Sequence, residues 1–394
     1  MHTRRAVCSS LAAAISAVLL ATNLVSGEKQ AQPTKRSDFR PTLQNRESDG
    51  AISAGALPPL KGILAGPEQI TSPSLRQWAR EGANGVVLMT GTGGEASLRA
   101  AARRIRGARL DLYYWIEVAR DVDLASTHPE WMASLQGHPE WRRHFPKFPE
   151  ARKGEVVKNY PWVPIVYQEA FDAHLQRISR LLSGLPRARG ILLNDLQSAP
   201  SACGCGNSLC RWTADYGPIQ TATRLPADAA ARFTKAVAAL QPEARVIPVW
   251  TTECEEMDKQ ELCAGVGCFA GLCWKEYTAQ LTPLASSAEH LGVLLPFREM
   301  GRDSARYGSA GGWAKQALQS FSEIPPKWKG TAVTADRLIP ILQGWNVTEA
   351  ERKDQLRLSQ EAGSTSYVIA RKRIDQGWEP RLVKIQGSVQ QIPE

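Results

Sequence analysis

Between Leu60 and Ala370 the chain alternates short, largely apolar runs with longer stretches whose apolar residues recur every three or four positions. The short runs are Leu60 to Ala65, Gly85 to Thr90, Leu110 to Val118, Gly190 to Asn194, Arg245 to Thr251, Leu291 to Phe297, Leu338 to Leu342 and Ser366 to Ala370. They are too short for helices and show little polar alternation, so they predict strands buried on both faces. The longer stretches predict helices. Ser72-Pro73 supplies an N-cap and a first-turn proline for a helix reaching Glu81. The Gly91 to Gly94 turn opens an Ala- and Arg-rich helix ending near Gly107. From Gln168 to Leu182, the residues Phe171, Leu175, Ile178 and Leu182 share one face. Further helices are predicted over 227–240, 274–286 and 313–321, and Thr348 with Glu351 forms a capping box that opens another.

Eight strand-helix units over this span predict an α/β fold of the (β/α)8 TIM-barrel type: a single domain over residues 60–394 with a short C-terminal extension. Long loops follow strands three, four and five. An open doubly wound sheet is the main competitor, but Gly66-Pro67-Glu68 stands where a dinucleotide fold would carry its glycine-rich turn.

The two ends read differently from the barrel. Residues 1–27 place Arg4 and Arg5 before an apolar stretch and end in small residues, the pattern of a signal peptide. Residues 28–59 are polar and read as a flexible leader. The expected location is therefore exported, periplasmic or extracellular, with no transmembrane segment. Removing the peptide takes the formal charge from +9 to +7. A basic exported protein can stay soluble or adhere to acidic polymers, and no Lys/Arg stripe interleaved with aromatics points to nucleic acid.

In such a barrel, chemistry sits at the C-terminal strand ends. Asp195 ends strand four and Glu253 strand five; Glu117 ends strand three and Arg298-Glu299 end strand six, with Glu117 and Glu299 as reserves. By the period-two rule Val249, Thr251 and Glu253 share a side, as Leu193 and Asp195 do. This offers two carboxylates at one mouth, the requirement of glycoside hydrolysis. Trp115, Trp250 and Trp345 near strand ends, with Trp131, Trp141, Trp162 and Trp212 in loops, could stack on sugar rings. Asn194, Gln197 and Arg298 complete the candidate carbohydrate contacts. His128 and His138 each open a His-Pro-Glu-Trp segment whose spacing does not match a zinc-protease helix.

Seven cysteines remain after the leader: Cys203, Cys205 and Cys210 beyond strand four, and Cys254, Cys263, Cys268 and Cys273 beyond strand five. Disulfides are the default in an exported chain. The odd count and the Cys-X-Cys spacing also suit a thiolate site for zinc or an iron-sulfur cluster, so both readings stay open. No other cofactor is expected.

The third-strand YYWIEVAR followed by HPEW, and the fourth-strand RGILLNDLQ, resemble the secreted (β/α)8 glycoside-hydrolase-like proteins of the amylase and α-galactosidase type. The resemblance implies an aspartate nucleophile at Asp195; the strand-end reading adds Glu253 as the general acid. It departs at Leu193, where an amylase-type strand carries arginine, and in the cysteine loops. The expected function is an exported glycoside hydrolase acting on an oligo- or polysaccharide. The alternatives are a non-catalytic glycan- or surface-binding barrel and a cysteine-thiolate metal protein.

Overall fold

A computed structural model describes residues 58–133, 135, 141–142, 145–165, 168–196, 225–251, 283–295, 308–322, 333–374 and 379–384. Eight parallel strands close into a barrel: β1 (Lys61–Ala65), β2 (Gly85–Met89), β3 (Asp111–Glu117), β5 (Gly190–Asn194), β6 (Arg245–Thr251), β7 (Leu291–Leu295), β8 (Leu338–Gln343) and β9 (Tyr367–Ala370). The predicted (β/α)8 architecture is the one observed, and closure leaves the barrel no exposed edge.

Two apolar layers follow from strand alternation. Leu64, Val87, Met89, Trp115, Leu192, Val249, Leu294, Ile341 and Val368 fill the barrel interior. Their neighbours, such as Val86, Tyr114, Leu193, Trp250 and Val293, point outward against the helices. Among the described residues those helices are α1 (Ser72–Arg80), α2 (Glu95–Gly107), α4 (Gln168–Gly184), α5 (Leu225–Leu240), α6 (Ala310–Ser322) and α7 (Glu349–Glu361), while α3 (Val122–Thr127) packs in a separate apolar cluster with Met132, Val163 and Val383. The expected capping box is formed: Thr348 Oγ1 accepts from Glu351 N–H, and Glu351 Oε2 accepts from Thr348 N–H.

The long segment after β3 is more than a loop. It carries α3 and the strand β4 (Glu155–Tyr160), which pairs antiparallel with β10 (Glu379–Lys384) outside the barrel. The C-terminal extension thereby fastens the β3 segment, with Arg381 lying over the Tyr160 ring. Among the described residues, no helix is long and apolar enough to cross a membrane.

Candidate active site at the barrel mouth

β3 places Tyr113, Trp115 and Glu117 on its inward side by the period-two rule. Trp115 is fully buried in the interior layer, and its indole Nε1–H donates to Glu117 Oε1 at 2.6 Å. The neighbouring strand supplies the second bond: Asn194 Nδ2–H donates to Glu117 Oε2 at 2.8 Å. Each carboxylate oxygen is thus held by a donor from a different position, which fixes the plane of the group. The bond to Glu117 also sets the orientation of the Asn194 amide. Its Oδ1 is buried and has no hydrogen-bond partner among the described residues.

The alternation differs from the sequence expectation in one respect. Leu193 faces the helices and Asn194 faces inward, so the shared side expected for Leu193 and Asp195 is not the mouth side. Every residue of β5 is buried, and a strand covered on both faces carries no polar signal of which side is which. Asp195, the next residue, has a left-handed backbone, at φ 59°. It is 3% exposed, and its carbonyl accepts from Ala119 N–H at 3.4 Å. Asp is among the few non-glycine residues that tolerate this region, and such strain clusters at functional sites.

Behind Glu117 lies a buried ionic support. Arg177 of α4 donates through Nη2 to the carbonyls of Glu117 and Val118, at 3.0 and 3.1 Å. Its Nε pairs with Asp121 Oδ2 at 2.9 Å, while Asp121 Oδ1 accepts from Leu124 N–H at the start of α3. His174, fully buried beside them, bonds the Val163 carbonyl through Nε2 at 2.9 Å. Burial, reinforced by the Arg177 charge, pushes its pKa down to about 4, so the ring is neutral at pH 7.

The tryptophans divide. Trp115 and Trp250 are 0% and 2% exposed, and neither offers a ring face to a ligand. Trp115 serves the carboxylate instead, and Trp250 packs edge-on against Phe321 outside the barrel. Trp162 is fully buried against Ala119, and Trp141 packs edge-on against Phe148. Trp131 is half-buried, with His128 stacked on one face at 3.8 Å. Trp345 caps the interior layer, and its carbonyl accepts from Gln343 Nε2. Glu253, Gln197, Arg298, Glu299, Trp212, His138 and all seven cysteines lie outside the described residues.

No protein-family model and no curated protein matches the chain. Among solved structures it is similar to the endo-1,4-β-D-mannanase of Thermotoga petrophila RKU-1, at 10% identity over 79% of this chain and 88% of that one, with a TM-score of 0.42. It is also similar to a β-galactosidase of Halorubrum lacusprofundi (10% identity, 78% of this chain and 52% of that one, TM-score 0.46). A third is α-L-fucosidase isoenzyme 2 of Paenibacillus thiaminolyticus (12% identity, 79% and 46%, TM-score 0.42). The chain spans about half the length of the latter two. The barrel stands on its closed strand order rather than on these likenesses.

Proposed function

We propose that this chain is an exported glycoside hydrolase acting on an oligo- or polysaccharide, with Asp195 and Glu117 among the carboxylates at its barrel mouth. The observation that carries the reading is the Glu117 carboxylate, oriented by Trp115 and Asn194 at adjacent strand ends, one residue from a left-handed aspartate. Glycosidic cleavage needs one carboxyl group to attack or to activate water and another to protonate the leaving oxygen. Asp195 fits the nucleophile or stabilising carboxylate. Glu117 is the partner that the described residues supply, beside the general-acid candidate Glu253. A carboxyl separation of about 5 Å would give retention of configuration, and roughly 6.5–9.5 Å inversion.

Neutral donors and acceptors at the mouth suit polyhydroxylated substrates. Among the described tryptophans Trp131, half-buried with His128 on one ring face, remains the stacking candidate. No cofactor enters this chemistry, and the cysteines are proposed as disulfides that shape the loops.

The test is to screen the mature protein against neutral and acidic glycans by mass spectrometry, and then to assay Asp195→Asn on whichever glycan responds. Loss of turnover with retained folding supports the assignment. Unchanged turnover removes Asp195 from the chemistry, and glycan binding without any product would make the barrel a binding protein.

A further inference from the structure

The α1–α2 corner of the barrel carries an excess of one charge. From Ser72 to Arg109 the chain has seven arginines, two glutamates, no aspartate and no lysine. Both glutamates are engaged: Glu81 with Arg371 at 2.8 Å, and Glu95 with Arg99 at 3.3 Å. Arg76, Arg80, Arg103, Arg104, Arg106 and Arg109 are exposed and form no ion pair among the described residues. Arg104 donates to the Ile70 carbonyl at 3.4 Å, linking α2 to the turn before α1.

The fold gathers these charges. β1 and β2 are neighbours, so the helices that follow them are neighbours on the outer ring. Helices run back along a (β/α)8 barrel, which brings their C-terminal turns to the rim opposite the strand-end mouth. Arg80 lies in the last turn of α1, and Arg104 and Arg106 in that of α2. Arg109 follows directly, and exposed Lys61 starts β1 on the same rim. Favourable placement against the helix dipole accounts for cations in the last turns. It does not account for Arg76, Arg103 or Arg109.

We propose that this corner binds a linear acidic polysaccharide, its arginines pairing with successive carboxylate or sulfate groups. Arg103 and Arg106 stand three residues apart on one helix face, about 5–6 Å between Cβ atoms, so neighbouring guanidinium groups can engage successive anions of a chain. The use of arginine and no lysine between Ser72 and Arg109 suits forked pairing with planar oxyanions. Two other polyanions fit less well. The exposed large hydrophobic residues among the described ones, Val122 and Leu240, lie on α3 and α5, so nothing at this corner would insert into a lipid surface. The aromatic residue of α1, Trp78, is buried and offers no platform for a nucleic-acid base. Because the corner lies opposite the mouth, occupancy there leaves the mouth open, and the proposal stands whether or not the barrel is a hydrolase.

Polygalacturonate is the probe, titrated into the intact mature protein at 20 and 200 mM NaCl and followed by calorimetry, with dextran as the neutral control. The expected result is binding of polygalacturonate and not dextran, weakened at least tenfold at the higher salt. Arg103→Gln/Arg106→Gln should weaken binding at least tenfold and flatten the salt dependence by about one to two charges. A control pair on the β4 side, Arg152→Gln/Lys153→Gln, should bind like the parent chain. Equal loss in both pairs would reduce the effect to net charge and overturn the proposal. Failure of the parent chain to bind polygalacturonate or heparin would overturn it as well. So would binding to vesicles of 30% anionic lipid, abolished by the α2 pair, in the absence of polysaccharide binding. Thermal unfolding of each variant confirms that the fold is intact.

Discussion

Replacing Trp115 with phenylalanine removes the indole N–H that holds Glu117 Oε1 at 2.6 Å while keeping an aromatic ring in the interior layer. A hydrogen bond to a charged group contributes about 1.5–3 kcal/mol, and the lower part of that range applies because Glu117 is half-buried and water can take the vacated position. The lost ring atoms add a packing cost of about 1–2 kcal/mol at a site with no exposure. Trp115→Phe should therefore destabilise the barrel by about 2.5–4 kcal/mol in urea unfolding. A double-mutant cycle with Glu117→Gln separates the two contributions, since the packing cost is common to both backgrounds. With the Asn194 amide turned so that its Oδ1 accepts from the new glutamine N–H, the glutamine oxygen still accepts from the indole, so the cycle reads the difference between a charged and a neutral acceptor. That difference is about 1 kcal/mol. A coupling within about 0.3 kcal/mol of zero would refute the reasoning, because independent sites add to that accuracy.

Other consequences are equally open to measurement. At Asp195, φ 59° favours glycine over any side chain with a Cβ, so Asp195→Ala should be less stable than Asp195→Gly by about 1 kcal/mol in urea. An alanine variant as stable as the glycine one would argue against the left-handed turn. His174 is neutral when folded and takes up a proton near pH 6.5 when unfolded, so its contribution is complete above pH 6.5 and declines as pH falls towards 4. The loss reaches about 3 kcal/mol and ends below that window, where both states are protonated. His174→Gln should flatten unfolding free energy between pH 6.5 and 4, and an unchanged slope would contradict the buried neutral ring. Arg177→Met leaves Asp121 and two carbonyls without their cation and should cost about 3–5 kcal/mol in the same assay. A cost below about 1 kcal/mol would mean that the pair is solvated.

Some of this was legible in the chain and some was not. The eight strands announce themselves because each is a short apolar run set between longer polar-rich stretches, and Gly190–Asn194 and Arg245–Thr251 coincide with their predicted bounds. The same uniform burial that reveals a strand conceals its orientation: Gly190 to Asn194 are buried throughout, so nothing in GILLN tells that Asn194 faces inward. β4 stayed hidden for another reason. Its partner β10 lies more than 200 residues away, and a six-residue half-polar strand is recognisable only beside the strand it pairs with. The importance of Glu117 could have been read from Trp115, two positions earlier on the same strand side, which places an indole donor beside the carboxylate. The support from Arg177 and Asp121 depends on α4 folding back against the end of β3, a contact that local sequence does not encode.

The measurement that bears most directly on the proposal is the turnover of Glu117→Gln on whichever glycan responds to the parent chain in the screen, with unfolding free energy recorded on the same preparations. An oriented carboxylate that takes part in the chemistry predicts a fall in kcat by about 100-fold or more with little change in KM. Turnover equal to the parent chain, in a variant that folds normally, would contradict a catalytic role for the carboxylate that Trp115 and Asn194 hold.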